Sequence, residues 1–273
     1  MKIFLVGYEK SKKILPASSF LIKKYIPNNF DVYFLNFGTS VELFHGSFVS
    51  LAEVQEGGSS SWSKYLINFL SSLDDEYIIF TLDDYFLSKQ LNLNAYNDIF
   101  DVMMNDKNIV CAKLGYSPSD NPHLYSMIDD KNFILNSNAN YSVTTQYCIW
   151  NRSFLIEILR QVNTPWEFEL NGSSYLNSSG KKVIGTLDTI LSYPECSSIS
   201  ERHPGKISVF ANNEYDIEEL INLNLLKNDE LIYGQWPGNV LSYTEVKQNN
   251  LDPLTVCPND EKKYYSSIKL VCS

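Results

Sequence analysis

The amino-acid sequence predicts an α/β protein: a mixed, mostly parallel sheet flanked by helices, with a C-terminal extension. Three observations lead there. Apolar runs of strand length alternate with segments of helical period through the first half of the chain. One run, Tyr77-Ile78-Ile79-Phe80-Thr81-Leu82, ends in two adjacent carboxylates, Asp83 and Asp84. With 273 residues, 44% of them hydrophobic, the chain can bury a sizeable core without covalent staples.

The elements follow in order. Lys2–Gly7 reads as a strand, Ser18–Ile26 as a helix stopped by Pro27, and Val32–Phe37 as a second strand, a βαβ beginning. Gly57-Gly58-Ser59-Ser60-Ser61 is a loop whose last serine serves as N-cap. Trp62, Tyr65, Leu66, Phe69, Leu70 and Leu73 then recur at helical spacing. Strand Tyr77–Leu82, helix Asn94–Met104 and strand Ile109–Leu114 continue the alternation.

The polar stretch from Gly115 to Asn140 reads as loops around a short strand, Phe133–Leu135. Tyr141–Trp150 reads as a strand, and Asn151 or Ser153 caps a helix carrying Phe154, Leu155, Ile158, Leu159 and Val162. Trp166–Leu170 suggests a short edge strand, Asn171–Gly180 a loop, and Asp216–Leu226 a helix with acids in its first turn. From about Gly234 the periodicity places no element. Without a clean linker, residues 1–210 are expected to form the main domain and residues 211–273 an extension packed on it.

Composition removes several classes of function. A net charge of -10 disfavours binding to phosphate backbones, so nucleic acid is not an expected partner. No apolar run approaches the roughly 20 residues a membrane helix needs. Five scattered cysteines with no Cys-x-x-Cys pair suggest reduced thiols and a cytoplasmic protein. No Gly-x-Gly-x-x-Gly follows the first strand, and no phosphate loop ending Gly-Lys-Ser/Thr, Gly-x-Ser-x-Gly elbow or His-Glu-x-x-His occurs. These absences lower dinucleotide redox chemistry, NTP hydrolysis and serine esterase chemistry.

Three constellations remain. In open α/β sheets ligands bind beyond the carboxyl ends of strands, where Asp83 and Asp84 could hold Mg²⁺ or Mn²⁺ on substrate phosphates. The same pair can be read as a solvated turn. In Pro165-Trp166-Glu167-Phe168-Glu169 an extended backbone would put Glu167 and Glu169 on one face and the aromatics on the other. Either acid could then act as a general base, or both could sit in water on an edge strand. Arg202-His203-Pro204-Gly205-Lys206 could clamp a diphosphate through Arg202 and Lys206, with His203 a further metal ligand, or be a solvated basic turn.

Taken together, Trp62-Ser63-Lys64-Tyr65-Leu66, the run Tyr77 to Leu87, and Thr145-Gln146-Tyr147-Cys148-Ile149-Trp150-Asn151-Arg152 leading to Pro165–Glu169 resemble bacterial glycosyltransferases of the GT-A fold. These are the enzymes of surface-polysaccharide and lipopolysaccharide synthesis. The resemblance covers roughly residues 1 to 210.

It implies a Rossmann-like, GT-A-like sheet, a nucleoside-diphosphate sugar donor, and Mn²⁺ or Mg²⁺ on an Asp-x-Asp-type motif. Asp83 and Asp84 match that motif, Asp84 as metal ligand and Asp83 as a donor ribose or sugar contact. Glu167 or Glu169 matches the base of inverting members. The chain departs from the motif in having no spacer between its two aspartates.

The expected reaction is sugar transfer to a hydroxyl of a glycan or lipid-linked glycan, in the cytoplasm or at the inner face of the membrane. The alternatives are a nucleotidyltransferase that makes the activated sugar and a non-enzymatic carbohydrate-binding protein.

Overall fold

The computed structural model describes residues 1–115, 124–136, 141–193, 205–209, 214–233 and 241–249. Its centre is a nine-stranded sheet in the order β3-β2-β1-β4-β8-β5-β9-β7-β6. The strands are β1 (Lys2–Val6), β2 (Asp31–Asn36), β3 (Ser47–Ser50), β4 (Tyr77–Leu82), β5 (Ile109–Lys113), β6 (Tyr125–Met127), β7 (Asn132–Leu135), β8 (Cys148–Asn151) and β9 (Lys182–Thr186). β1 pairs in parallel with β2 and β4, β2 with β3, and β5 with β9. β8 runs antiparallel between β4 and β5, and β7 antiparallel between β9 and β6. This is the mixed, mostly parallel sheet expected.

The central strands are apolar on both sides because helices cover both faces. Phe4, Val6, Ile78 and Phe80 face α2 (Trp62–Ser71), α4 (Arg152–Leu159) and α5 (Pro165–Ser179), where Leu66, Leu70, Leu155, Leu159 and Phe168 complete the core. Their neighbours Ile3, Leu5, Tyr77 and Ile79 face α1 (Leu15–Tyr25) and α3 (Leu93–Asn105), packing on Leu15, Ile22, Ile99 and Met103. The period of two along a strand thus splits one apolar run into two cores.

A third cluster docks α6 (Glu214–Asn222) on α1 through Ile14, Ala17, Leu21, Ile217 and Leu220. Polar groups fasten the contact. Buried Asp216 accepts from Tyr25 Oη at 2.7 and 2.8 Å and from Lys24 Nζ at 2.9 Å. A small sheet of β10 (Ile207–Ser208), β11 (Leu231–Tyr233) and β12 (Leu241–Ser242) stands beside it, followed by α7 (Tyr243–Gln248). Among the described residues no helix is long and apolar enough to cross a membrane.

Three local expectations are corrected. Residues 165–179 form the helix α5, not an edge strand and a loop. Thr164 caps it by accepting from the Glu167 N–H at 3.1 Å, Pro165 takes the first helical position, and Gly180 ends it at φ +71°. Only the last part of 141–150 is strand. Ahead of it, the Thr145 and Tyr147 carbonyls accept from Leu82 and Leu114, so 141–147 ties strand ends together. Ser61 does not cap α2, because residues 58–61 coil into a 3₁₀ turn and its hydroxyl donates back to Gly58.

Candidate functional site

The sheet reverses its winding at β1. The chain leaves β1 for β2 and β3 on one side and returns with β4 on the other, so the carboxyl ends of β1 and β4 border a topological switch point. Such a point is where open α/β sheets bind ligands. Gly7 leaves the end of β1, Asn36 ends β2, and Asp83 and Asp84 follow β4. Both aspartates are buried, at 2% and 5% exposure, which excludes the solvated-turn reading.

Asp83 is held from several strand ends. Its N–H donates to the Val6 carbonyl at 3.0 Å, which keeps it in line with β1. Its Oδ2 accepts from the Ser11 hydroxyl at 2.6 Å, and Ser11 in turn accepts from Asn36 Nδ2 at 3.2 Å. Gly7 makes this approach possible: a Cβ there would lie 1.8 Å from Asp83 Oδ2 and 2.5 Å from Ser11 Oγ. Burial, then the adjacent Asp84 charge, push the Asp83 carboxyl well above the ordinary range, against the pull of the Ser11 hydrogen bond. Buried Tyr147 feels the same pair, its phenol pushed up by burial and then by the charges of Asp83 and Asp84.

On the other side of β4, α5 supports the rim. Phe168 packs against Trp62, Phe80 and Trp150 with ring centroids 5.7, 6.1 and 6.0 Å apart, fixing the helix on the sheet. Glu169, the next residue, turns Oε1 to Thr145. It accepts from the Thr145 N–H and hydroxyl at 2.9 Å each, and from the Thr144 hydroxyl at 3.2 Å. The Thr145 carbonyl accepts from the Leu82 N–H at 3.1 Å, so Glu169 reaches the strand end beside Asp83 through one residue. Glu167 is placed differently. Its Oε2 accepts from the Asn163 N–H at 2.8 Å, just ahead of the helix, while its own N–H donates to the Thr164 hydroxyl that caps α5.

The structure therefore brings Asp83, Asp84 and, through Thr145, Glu169 to one rim. Lys206 is not brought to it: its Nζ donates to the Asp229 carbonyl. Arg202 and His203 lie outside the described residues. The neighbouring Gly205 carbonyl accepts from Lys13 Nζ at 2.7 Å, and Lys13 follows Ser11 by two residues. Gly7, Ser11 and Asn36 were not singled out by the sequence, and Thr145 entered only as part of a longer run with no role of its own. The one sign they left is a glycine directly after the first strand, the position where backbone and a neighbouring group can approach closely.

The donor set suits a hard cation. Two adjacent carboxylates supply oxygen ligands; burial and then the Asp84 charge raise the Asp83 carboxyl, and a divalent ion would offset the second of these. Among the described residues no group of three His, Cys, Asp or Glu side chains gathers, so phosphates and water would have to complete such a shell.

No protein-family model matches the chain, and no curated protein sequence matches it either. Solved structures are similar to it. TarS of S. aureus residues 1–349 in complex with UDP aligns at 11% identity and TM-score 0.42, covering 70% of this chain and 59% of that one. The chain spans only 36% of a longer TarS structure. A UDP-glucose pyrophosphorylase with UDP-glucose aligns at 8% identity and TM-score 0.45, covering 71% and 92%. The galactosyltransferase LgtC, solved with donor and acceptor sugar analogues, aligns at 9% identity and TM-score 0.39, covering 68% and 73%. A galactosyltransferase and a UDP-glucose pyrophosphorylase are thus both among the structures this chain is similar to.

Proposed function

We propose that this protein is a glycosyltransferase that moves a sugar from a nucleoside-diphosphate sugar to a hydroxyl of a glycan or lipid-linked glycan acceptor, in surface-polysaccharide synthesis. The observation that carries this reading is the buried Asp83-Asp84 pair, set against Gly7 at the switch point of the sheet. Residues 1–210 carry donor binding and catalysis, and residues 211–273 are the extension.

Asp84 and Asp83 would hold Mn²⁺ or Mg²⁺, which supplies charge stabilisation to a leaving diphosphate when bound. Asp83, fixed by Ser11, faces the donor ribose or sugar. For a transfer that inverts the anomeric carbon, the acceptor oxygen bonds that carbon as the diphosphate departs with the electron pair of the broken bond. Glu169 takes the acceptor proton. Its Oε1 is anchored to Thr144 and Thr145, which leaves Oε2 as the oxygen for that task. Glu167 serves the cap of α5.

A nucleotidyltransferase would use the same sheet and paired acids. Its triphosphate calls for a glycine-rich basic loop after β1, whereas here the chain coils into the 3₁₀ turn Glu9–Ile14 with Ser11 directed at Asp83. Product analysis separates the two: a nucleoside diphosphate released from a sugar nucleotide supports glycosyl transfer, and pyrophosphate released from an NTP and a sugar phosphate overturns it. A carbohydrate-binding protein would release neither and would gain no thermal stability from sugar nucleotides.

A further inference from the structure

Ser11 lies on the 3₁₀ turn after β1, is wholly buried, and was singled out by no motif. Its hydroxyl has two acceptors within reach, Asp83 Oδ2 at 2.6 Å and the Tyr8 carbonyl at 2.8 Å. The carboxylate contact falls in the range of a charge-assisted O–H···O⁻ bond. The oxygen of the same hydroxyl accepts from the Tyr8 N–H at 3.1 Å and from Asn36 Nδ2 at 3.2 Å. The amide of Asn36, itself wholly buried, is oriented by the Phe37 N–H, which donates to Asn36 Oδ1 at 2.8 Å. One hydroxyl therefore joins the ends of β1, β2 and β4.

The acid beside it needs such a fastening. Asp83 and Asp84 are neighbours in sequence and both buried, so their charges repel with little water to screen them. Gly7 removes the Cβ that would keep Asp83 out, and Ser11 supplies the hydroxyl that holds it there. Ser11 and Asn36 are both fully buried, so bulk water does not reach this hydroxyl to replace its proton.

We infer that Ser11 is a positioning residue: backed by Asn36, it fixes the carboxylate of Asp83 in the geometry that receives the donor sugar nucleotide, and it acts on binding only through Asp83. The inference rests on the nucleotide-sugar reading. The test is a double-mutant cycle on the full chain, with wild type, Ser11→Ala, Asp83→Ala and the double variant titrated with UDP-glucose, GDP-mannose and UDP-N-acetylglucosamine in the presence of Mn²⁺. The unfolding midpoint of each ligand-free variant is recorded separately, so that lost folding is not read as lost binding.

The expected result is that one donor binds wild type, that Ser11→Ala weakens it about tenfold, as loss of a hydrogen bond to a charged group does, and that the double variant binds no worse than Asp83→Ala. A merely structural serine would instead give losses that multiply, and that outcome overturns the inference while leaving the nucleotide-sugar reading standing. If Asp83→Ala binds too weakly to titrate, Asn36→Ala decides, since it removes the support of Ser11 without touching Asp83. A severalfold loss of affinity there supports the inference and unchanged affinity overturns it. A wild-type protein that binds none of the three donors overturns the reading and the inference together.

Discussion

The Thr145 N–H and hydroxyl both bond the Oε1 of Glu169 at 2.9 Å, and the carbonyl of the same threonine receives the N–H of Leu82, one residue before Asp83. A helix on one face of the sheet is thereby coupled to the rim where the acid pair sits. The two glutamates of this helix differ in what they hold, and that difference can be tested.

Glu169→Gln keeps an acceptor at Oε1, so the loop 144–145 stays attached and the unfolding midpoint stays near that of wild type. Sugar transfer falls by about 10²–10⁴-fold if Glu169 takes the acceptor proton. Steady-state release of nucleoside diphosphate checks this, and full activity in Glu169→Gln removes the base from the scheme.

Glu167→Ala has the opposite signature. It removes the carboxylate that accepts from Asn163, leaves the Thr164 cap on the Glu167 N–H in place, and costs about 1 kcal/mol of stability, the usual scale for one lost hydrogen bond, while transfer activity is retained. Chemical denaturation measured beside the activity assay distinguishes the two acids.

Gly7→Ala places a methyl carbon 1.8 Å from Asp83 Oδ2, a separation no contact tolerates. Overpacking of this kind costs about 1–3 kcal/mol, and relief requires Asp83 or Ser11 to move. Donor affinity is expected to fall further than the modest drop in midpoint would suggest. Titration of the folded variant with the donor that binds wild type measures it.

Asp84→Asn is expected to abolish transfer and leave the fold intact, because the amide keeps the shape of the side chain while removing the charge that a divalent cation and a diphosphate require. An active Asp84→Asn enzyme, assayed with and without Mn²⁺, would remove the metal-site claim.

The contact between α1 and α6 carries a pH dependence of its own. Burial, then the hydrogen bond to Asp216, raise the Tyr25 phenol from 10.0 to about 12. Lys24 is held up as well, by its bonds to Glu219 and Asp216, and stays charged through that window. Since the folded value of Tyr25 lies above the unfolded one, its contribution is fully present below about pH 10 and is lost as pH rises through about 12. Alkaline unfolding of wild type should be steeper between these values than that of Tyr25→Phe, which starts less stable and lacks this titration.

The strand exit bearing Asp83 and Asp84 was legible because a doubly covered strand must be apolar throughout, and two charges after such a run can only mark its end. The helix α5 was also written in the sequence, in Thr164-Pro165 at its start, Glu167 at its third position and Gly180 beyond its end. The polar stretch Asn171-Gly172-Ser173-Ser174 obscured those signals. Composition misled here because packing decided: Phe168 and Leu176 bury one side of the helix, Gly172 lets it come close to Ile158, and Ser173 bonds the backbone of Val143.

By itself, then, the sequence determined the alternation of strands and helices, the two apolar faces and the place where acids leave the sheet, since these depend on period and local capping. Only the tertiary structure decided that β8 runs backwards between β4 and β5, that residues 141–147 bind strand ends to α5, and that Gly7, Ser11 and Asn36 close around Asp83. Those relations join residues 25 and 72 positions apart through hydrogen bonds that need a dry interior to matter. No window of the chain contains both partners, so the chemistry of the rim exists only once the sheet has assembled.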